Sequence, residues 1–227
     1  MGIAANLDLI YQRIQSAATR VNRNPQEISL IAVTKYVEAG SVNEAIKAGV
    51  TIIGENRVQD GIKKFPLLVG KVSKHLIGSL QTNKVKLALA EYDLIHSVDR
   101  PELVLELAKQ AERLGRRIPF LIQVNISGEA TKHGLAPEVL PSLLNQVVAL
   151  ENLLPCGLMT IAPLMDNPEQ ARPIFRKLKL LFNEISAQRQ FGPEWRYLSM
   201  GMSQDYEIAV EEGSNMLRIG TAIFKVE

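Results

Sequence analysis

The feature that most restricts what this chain can become is an alternation. Eight short apolar runs, most of them rich in β-branched residues, fall at 29–34, 51–54, 74–78, 93–97, 118–125, 154–162, 195–200 and 216–220. Between them lie longer stretches whose apolar residues recur at helical spacing. Strands separated by helices favour parallel pairing, because a parallel connection needs a crossover long enough to hold a helix. The run at 120–124 is almost wholly apolar, as expected of a strand covered on both faces. Eight such units in 227 residues predict a single (β/α)8 TIM-type barrel domain spanning 1–227. An open doubly wound sheet is the alternative.

An extra helix precedes the first strand. Leu7, Ile10, Ile14, Ala17 and Val21 form one stripe, and 22–25 ends it. Only seven residues follow Gly220, too few for a full eighth helix, so this N-terminal helix is expected to cover the last gap in the outer ring. Asn167 with Pro168, Asp99 with Pro101, and Ala136 with Pro137 mark helix starts. Gly115, Gly192 and Gly213 mark helix ends, and another helix is expected to begin near Ser203.

Charge excludes several functions. Lys plus Arg is 26 against 24 for Asp plus Glu, so no global field is available to hold nucleic acid or an anionic membrane. Arg113, Arg116 and Arg117, and Lys84 with Lys86, read as solvated helix faces. No run approaches the ~20 apolar residues of a membrane span. The single cysteine, Cys156, permits no intramolecular disulfide, and its apolar neighbours point to an inert buried thiol. With no signal-like N-terminal pattern, a cytoplasmic protein is expected.

In a barrel, chemistry collects at the C-terminal ends of the strands. The residues at these positions are small and polar and include one lysine, Lys35. Burial at a strand end would favour its neutral amine, a nucleophile that forms Schiff bases with carbonyl compounds. A snorkelling lysine is the plainer alternative. The turn 199–203 and the turn Gly220-Thr221 follow strands seven and eight, where barrels often bind phosphate; ordinary tight turns are the alternative. His75, His96 and His133 are scattered, and no metal-ligand spacing occurs. His75 reads as a satisfied core or rim histidine, and Glu55 as either an acid/base group or a structural one.

AVTK at 32–35, GENRVQD at 54–60, HLIGSLQTNK at 75–84, SVD at 97–99, QVNIS at 123–127, GLMTIAP at 157–163, LSMGMSQD at 198–205 and RIGTAIF at 218–224 together carry a family resemblance. In these segments the chain resembles the pyridoxal phosphate homeostasis proteins, single-domain relatives of the alanine racemase N-terminal barrel. The resemblance implies pyridoxal 5′-phosphate held as a Schiff base on Lys35, with Ser199, Gly220 and Thr221 at its phosphate. It also implies Arg218 facing the pyridine nitrogen, and Asn56, Met200 and Gly201 lining the pocket. A guanidinium only donates, so a ring nitrogen facing it stays unprotonated and the ring is a weaker electron sink. The implied role is to buffer or deliver the cofactor, through transient contact with apo-enzymes that use it, in vitamin B6 and amino-acid homeostasis. The implied protein is a monomer without robust turnover. The alternative is a racemase, whose second base is, in the related enzymes, a tyrosine from an additional domain. Lys74 before His75, and 225–227 after RIGTAIF, depart from the family pattern.

Overall fold

The computed structural model describes residues 2–129, 132–188 and 190–225. Its strands are β1 (Ser29–Val33), β2 (Ile52–Glu55), β3 (Ser73–Leu76), β4 (Leu94–Val98), β5 (Ile118–Gln123), β6 (Leu153–Met159), β7 (Tyr197–Ser199) and β8 (Met216–Ile219). They pair in parallel, in sequence order, as a closed barrel whose seam joins β1 to β8 with Ser29 opposite Met216. Around them run α1 (Ile3–Arg20), α2 (Ala39–Lys47), α3 (Val58–Lys64), α4 (Val85–Glu91), α5 (Pro101–Leu114), α6 (Leu140–Val148), α7 (Arg172–Ala187), α8 (Tyr206–Glu211) and α9 (Thr221–Phe224). The barrel and its additional N-terminal helix match the expectation from the alternation.

Strand alternation divides the core in two. Leu30, Ala32, Ile53, Leu76, Ile122 and Leu217 point outward and pack with the helices in the larger cluster. Ile31, Leu94, Leu121, Cys156, Met159 and Met216 point inward and pack inside the barrel. Each large apolar side chain so buried contributes about 1.5–3 kcal/mol relative to exposure. One irregularity keeps β6 in phase with this scheme. Phe120 pairs with Pro155 but Leu121 pairs with Gly157, so Cys156 is left over as a bulge. Cys156 and Met159, three apart, can therefore both face inward.

α1 buries Ile3, Leu7, Ile10, Ile14, Ala17 and Ala18 and packs on α2, α8 and the four-residue α9. Val21 falls outside the stripe as the exposed C-cap residue. The buried Asn6 donates from Nδ2 to the Ile223 carbonyl at 3.0 Å, tying α1 to α9.

Several boundaries differ from the sequence reading. α7 stops at Ala187, well before Gly192, and Trp195 leaves the expected strand to stack between Phe182 and Phe191. Asn167 does cap, accepting from the Glu169 amide, but what it starts is a 3-10 turn at Pro168–Ala171 ahead of α7. α8 begins at Tyr206 rather than near Ser203, and Ser203 Oγ instead accepts from the Ala222 amide at 3.3 Å. Arg116 and Arg117 are not simply solvated, since both donate to main-chain carbonyls, of Leu89 and Leu153 respectively. Among the described residues no helix is long and apolar enough to cross a membrane.

Candidate functional site

All eight residues nominated from the sequence lie at or just beyond the C-terminal ends of β1, β2, β7 and β8. Lys35 follows β1 in a turn closed by the Val37 amide donating to the Thr34 carbonyl at 3.0 Å. Tyr36, the third residue of that turn, has φ +62°, a left-handed conformation costing a non-glycine residue about 1–2 kcal/mol. The turn takes the chain out of the barrel wall, so Lys35 is exposed and the expected burial of its amine does not occur.

Beneath the turn sits an anchor. β2 sends Gly54 inward, where an added Cβ would meet Ile31 and Ile77, and so sends Glu55 outward behind the wall. Glu55, 1% exposed, accepts from Thr34 Oγ1 at 2.6 Å and pairs with Lys64 Nζ at 2.6 Å. Lys64 Nζ also donates to the Thr34 carbonyl at 2.6 Å. This geometry selects the structural reading of Glu55, because its carboxylate braces the residue before Lys35 and does not face the barrel mouth.

On the β2–β3 side, Asn56 is half-buried and the main chain passes so close to Gly78 that a Cβ there would lie 2.2 Å from the Asn56 carbonyl oxygen. Ser97 Oγ donates to the Gly78 carbonyl at 2.6 Å and holds that approach. On the opposite side, Gly201 has φ +94°, and an added Cβ would lie 2.5 Å from the Ala209 Cβ. Its carbonyl accepts from the Arg218 amide at 3.0 Å. Met200 is fully buried, and Gly220 packs against Val33 with Thr221 exposed beside it. The loops after β7 and β8 thus meet the end of β1.

Arg218, 4% exposed, is the buried cation of the site. Its Nη1 donates to Ser199 Oγ at 2.6 Å and its Nη2 to the Thr160 carbonyl at 2.7 Å. Burial pulls its pKa down to about 10, with Asp205 opposing, so it stays charged near neutrality. The resemblance gives Ser199 to a phosphate. Its hydroxyl is fully buried on Arg218 and on His96 Nδ1, and a phosphate contact from it requires that pair to rearrange.

The sequence reading left the histidines scattered, whereas the fold brings two of them together. His96 Nε2 lies 3.0 Å from His75 Nδ1, and His75 Nε2 lies 3.1 Å from Ser73 Oγ. Strand parity was the available signal, since both occupy inward positions on neighbouring strands. His133 stands apart and exposed. Burial lowers the pKa of His75 to about 4, with Asp93 opposing. For His96, burial and then the charges of His75 and Arg218 push it well below the usual range. Cys156 is buried and its thiol is pushed up to about 11 by that burial, in keeping with an inert role.

These lowered values make acid stability a test. Between the unfolded histidine value of 6.5 and the folded value of about 4 for His75, the unfolded chain binds a proton that the folded chain does not. Stability is therefore complete above that window and falls as pH drops through it. His75 alone should cost roughly 2–3 kcal/mol between pH 7 and pH 4.5, read from urea unfolding. His75→Gln should flatten that part of the profile, and an unchanged slope would contradict the assignment.

The fold and the residues at the barrel mouth define a class, the single-barrel relatives of the alanine racemase N-terminal domain. Residues 5–227 match the family described as alanine racemase, N-terminal domain. The chain belongs to the pyridoxal phosphate homeostasis protein family. It is 41% identical to the pyridoxal phosphate homeostasis protein of Aquifex aeolicus over 225 residues, covering 99% of this chain and 98% of that one. It is 39% identical to the Escherichia coli protein of the same name, covering 98% and 95% respectively. Among solved structures, PipY of Synechococcus elongatus with bound pyridoxal phosphate superposes with a TM-score of 0.84 at 34% identity, covering 98% of this chain and all of that one. Alanine racemase of Streptomyces lavendulae shares the fold, with a TM-score of 0.72 at 17% identity, and this chain spans 58% of its length.

Proposed function

We propose that this chain binds pyridoxal 5′-phosphate reversibly as a Schiff base on Lys35. It would act in cofactor and amino-acid homeostasis as a cytoplasmic monomer, without robust turnover. The observation that carries the reading is Arg218, a charged guanidinium buried inside the barrel among the strand ends that lead to the mouth. Two of its N–H groups are held by the protein, which leaves others to meet an acceptor such as an unprotonated ring nitrogen. The donor set fits the group. Tightly packed glycines at 201 and 220 let the loops after β7 and β8 close in, and we assign the phosphate there with Met200 and Thr221. Asn56 lines the far side.

When bound, the cofactor supplies an aldehyde that condenses with a primary amine and releases water. The protein's part is to present Lys35 on a braced turn and to keep a permanent donor at Arg218. Exposure of Lys35 supports exchange with the surroundings, including transient hand-over to apo-enzymes that need the cofactor. Tyr36 is 85% exposed and so lacks the fixed position that a racemase's second base requires.

The test is the absorption spectrum of the chain with pyridoxal phosphate, before and after borohydride, followed by peptide mapping. A yellow band should bleach and leave a reduced pyridoxyl group on Lys35. A chain that stays colourless, or an adduct on another lysine, would overturn the reading. Exchange of the α-proton of added amino acids into solvent, lost in Lys35→Ala, would favour the racemase instead.

A further inference from the structure

The hydrogen bonds around Arg218 do not stop at Ser199. From Arg218 Nη1 they pass to Ser199 Oγ (2.6 Å), His96 Nδ1 (3.0 Å), then from His96 Nε2 to His75 Nδ1 (3.0 Å), and from His75 Nε2 to Ser73 Oγ (3.1 Å). Ser73 Oγ reaches Asp93 Oδ2 at 3.3 Å, on the exposed residue that precedes β4. The series therefore links the buried cation near the mouth, through strands β8, β7, β4 and β3, to a carboxylate at the opposite end of the barrel.

Proton accounting gives this chain a direction. A guanidinium can only donate, and an ionised carboxylate can only accept, so both ends are fixed. If Ser199 accepts from Arg218 and donates to His96 Nδ1, the His96 proton lies on Nε2 and points at His75 Nδ1. The His75 proton then lies on Nε2 and points at Ser73, whose hydroxyl donates to Asp93. Every proton has an acceptor. In the reverse arrangement Ser199 receives two donors, and among the described residues its own buried hydroxyl proton finds no acceptor. An unmet buried donor is costly, so the outward direction prevails. Burial keeps both imidazoles neutral, as this scheme requires.

We propose that His96 and His75 are positioning residues for the cofactor site, forming with Ser199, Ser73 and Asp93 a one-way hydrogen-bond chain that fixes the orientation of Arg218. They touch no cofactor atom. Their effect is to make Ser199 an acceptor toward Arg218, so that the guanidinium's remaining N–H groups are held in one direction. The positioning role rests on the reading of Arg218 as the residue facing the cofactor ring, whereas the direction of the chain stands on the hydrogen bonds alone.

The experiment separates the two. Histidine-15N NMR of the full chain, between about pH 6 and 8, should show both His75 and His96 neutral and carrying their protons on Nε2. A proton on Nδ1 of either ring would overturn the chain. With pyridoxal phosphate bound, His96→Leu should release it about tenfold faster, with a shifted cofactor absorption maximum. His96→Gln, which keeps an acceptor and a donor at similar spacing, should recover most of the wild-type behaviour. A folded His96→Leu with wild-type release and spectrum would overturn the positioning role. If that variant does not fold, Ser73→Ala breaks the chain at its half-exposed end and is read in the same two ways. If the wild-type chain takes up no pyridoxal phosphate, the functional reading fails together with the positioning role, and the tautomers alone decide the direction of the chain.

Discussion

Gly157→Ala should yield little or no folded protein. Gly157 has φ +144°, and a Cβ built there would lie 1.8 Å from the Tyr197 carbonyl oxygen and 2.7 Å from its carbon. Those atoms belong to β7, which pairs with β6 at this same position, so neither main chain can retreat without opening the ladder. Backbone strain and a main-chain clash together place the cost above about 4 kcal/mol. That approaches the lower end of the roughly 5–15 kcal/mol that holds a typical domain folded. Gly115→Ala is the control. Its φ of +60° is also left-handed, but nothing lies within 4 Å of the added atom, so the cost should be only about 1–2 kcal/mol. Soluble yield and urea unfolding read both, and a Gly157→Ala midpoint equal to that of the wild type would refute the bulge as described.

Lys64→Met should be strongly destabilising. Its side chain is 12% exposed and that of Glu55 only 1%, and Glu55 Oε2 already has no hydrogen-bond partner. Taking away the ammonium leaves a buried carboxylate uncompensated, at a cost of about 3–5 kcal/mol. It also removes one of the two donors to the Thr34 carbonyl next to Lys35, leaving the Val37 amide. Replacing both partners, as Glu55→Leu with Lys64→Met, should restore most of the loss, because a well-packed apolar pair can match a buried ion pair. Thermal unfolding of the two singles and the double measures the coupling. Additive losses would show that the pair does not act as a unit.

The barrel was legible in the sequence because alternation of strand and helix is a local signal repeated eight times. The site was partly legible for the same reason, since the ends of strands can be counted once the strands are known. Lys35, Ser199 and the Gly220-Thr221 turn could be nominated from their positions at strand ends, whereas Arg218 was nominated from the family likeness. The exposure of Lys35 could not, because it depends on Tyr36 adopting a left-handed conformation that no residue type announces. The partnership of His75 with His96 needed the register of β3 against β4, and the outward direction of Glu55 needed the parity of β2. Ser203 looked like a helix cap by its neighbours, and only the fold shows it reaching across to α9. The legible features are local, and apart from the turn at Tyr36 the missed ones are long-range.

Closure of the barrel at the β1–β8 seam sets a schedule for its synthesis. β1 leaves the ribosome well ahead of β8, since the strand that completes one of its two edges begins only at Met216. At about 5–20 residues per second, that edge waits roughly 10–40 s with its amide and carbonyl groups unpaired. An apolar strand left open so long is a template for pairing with another nascent chain. α1 is already made by then, and its apolar stripe is available to shield the region before α8 and α9 arrive to receive it. The helix that finally covers the seam is thus placed, in order of manufacture, where it can act as a temporary guard for the unfinished wall.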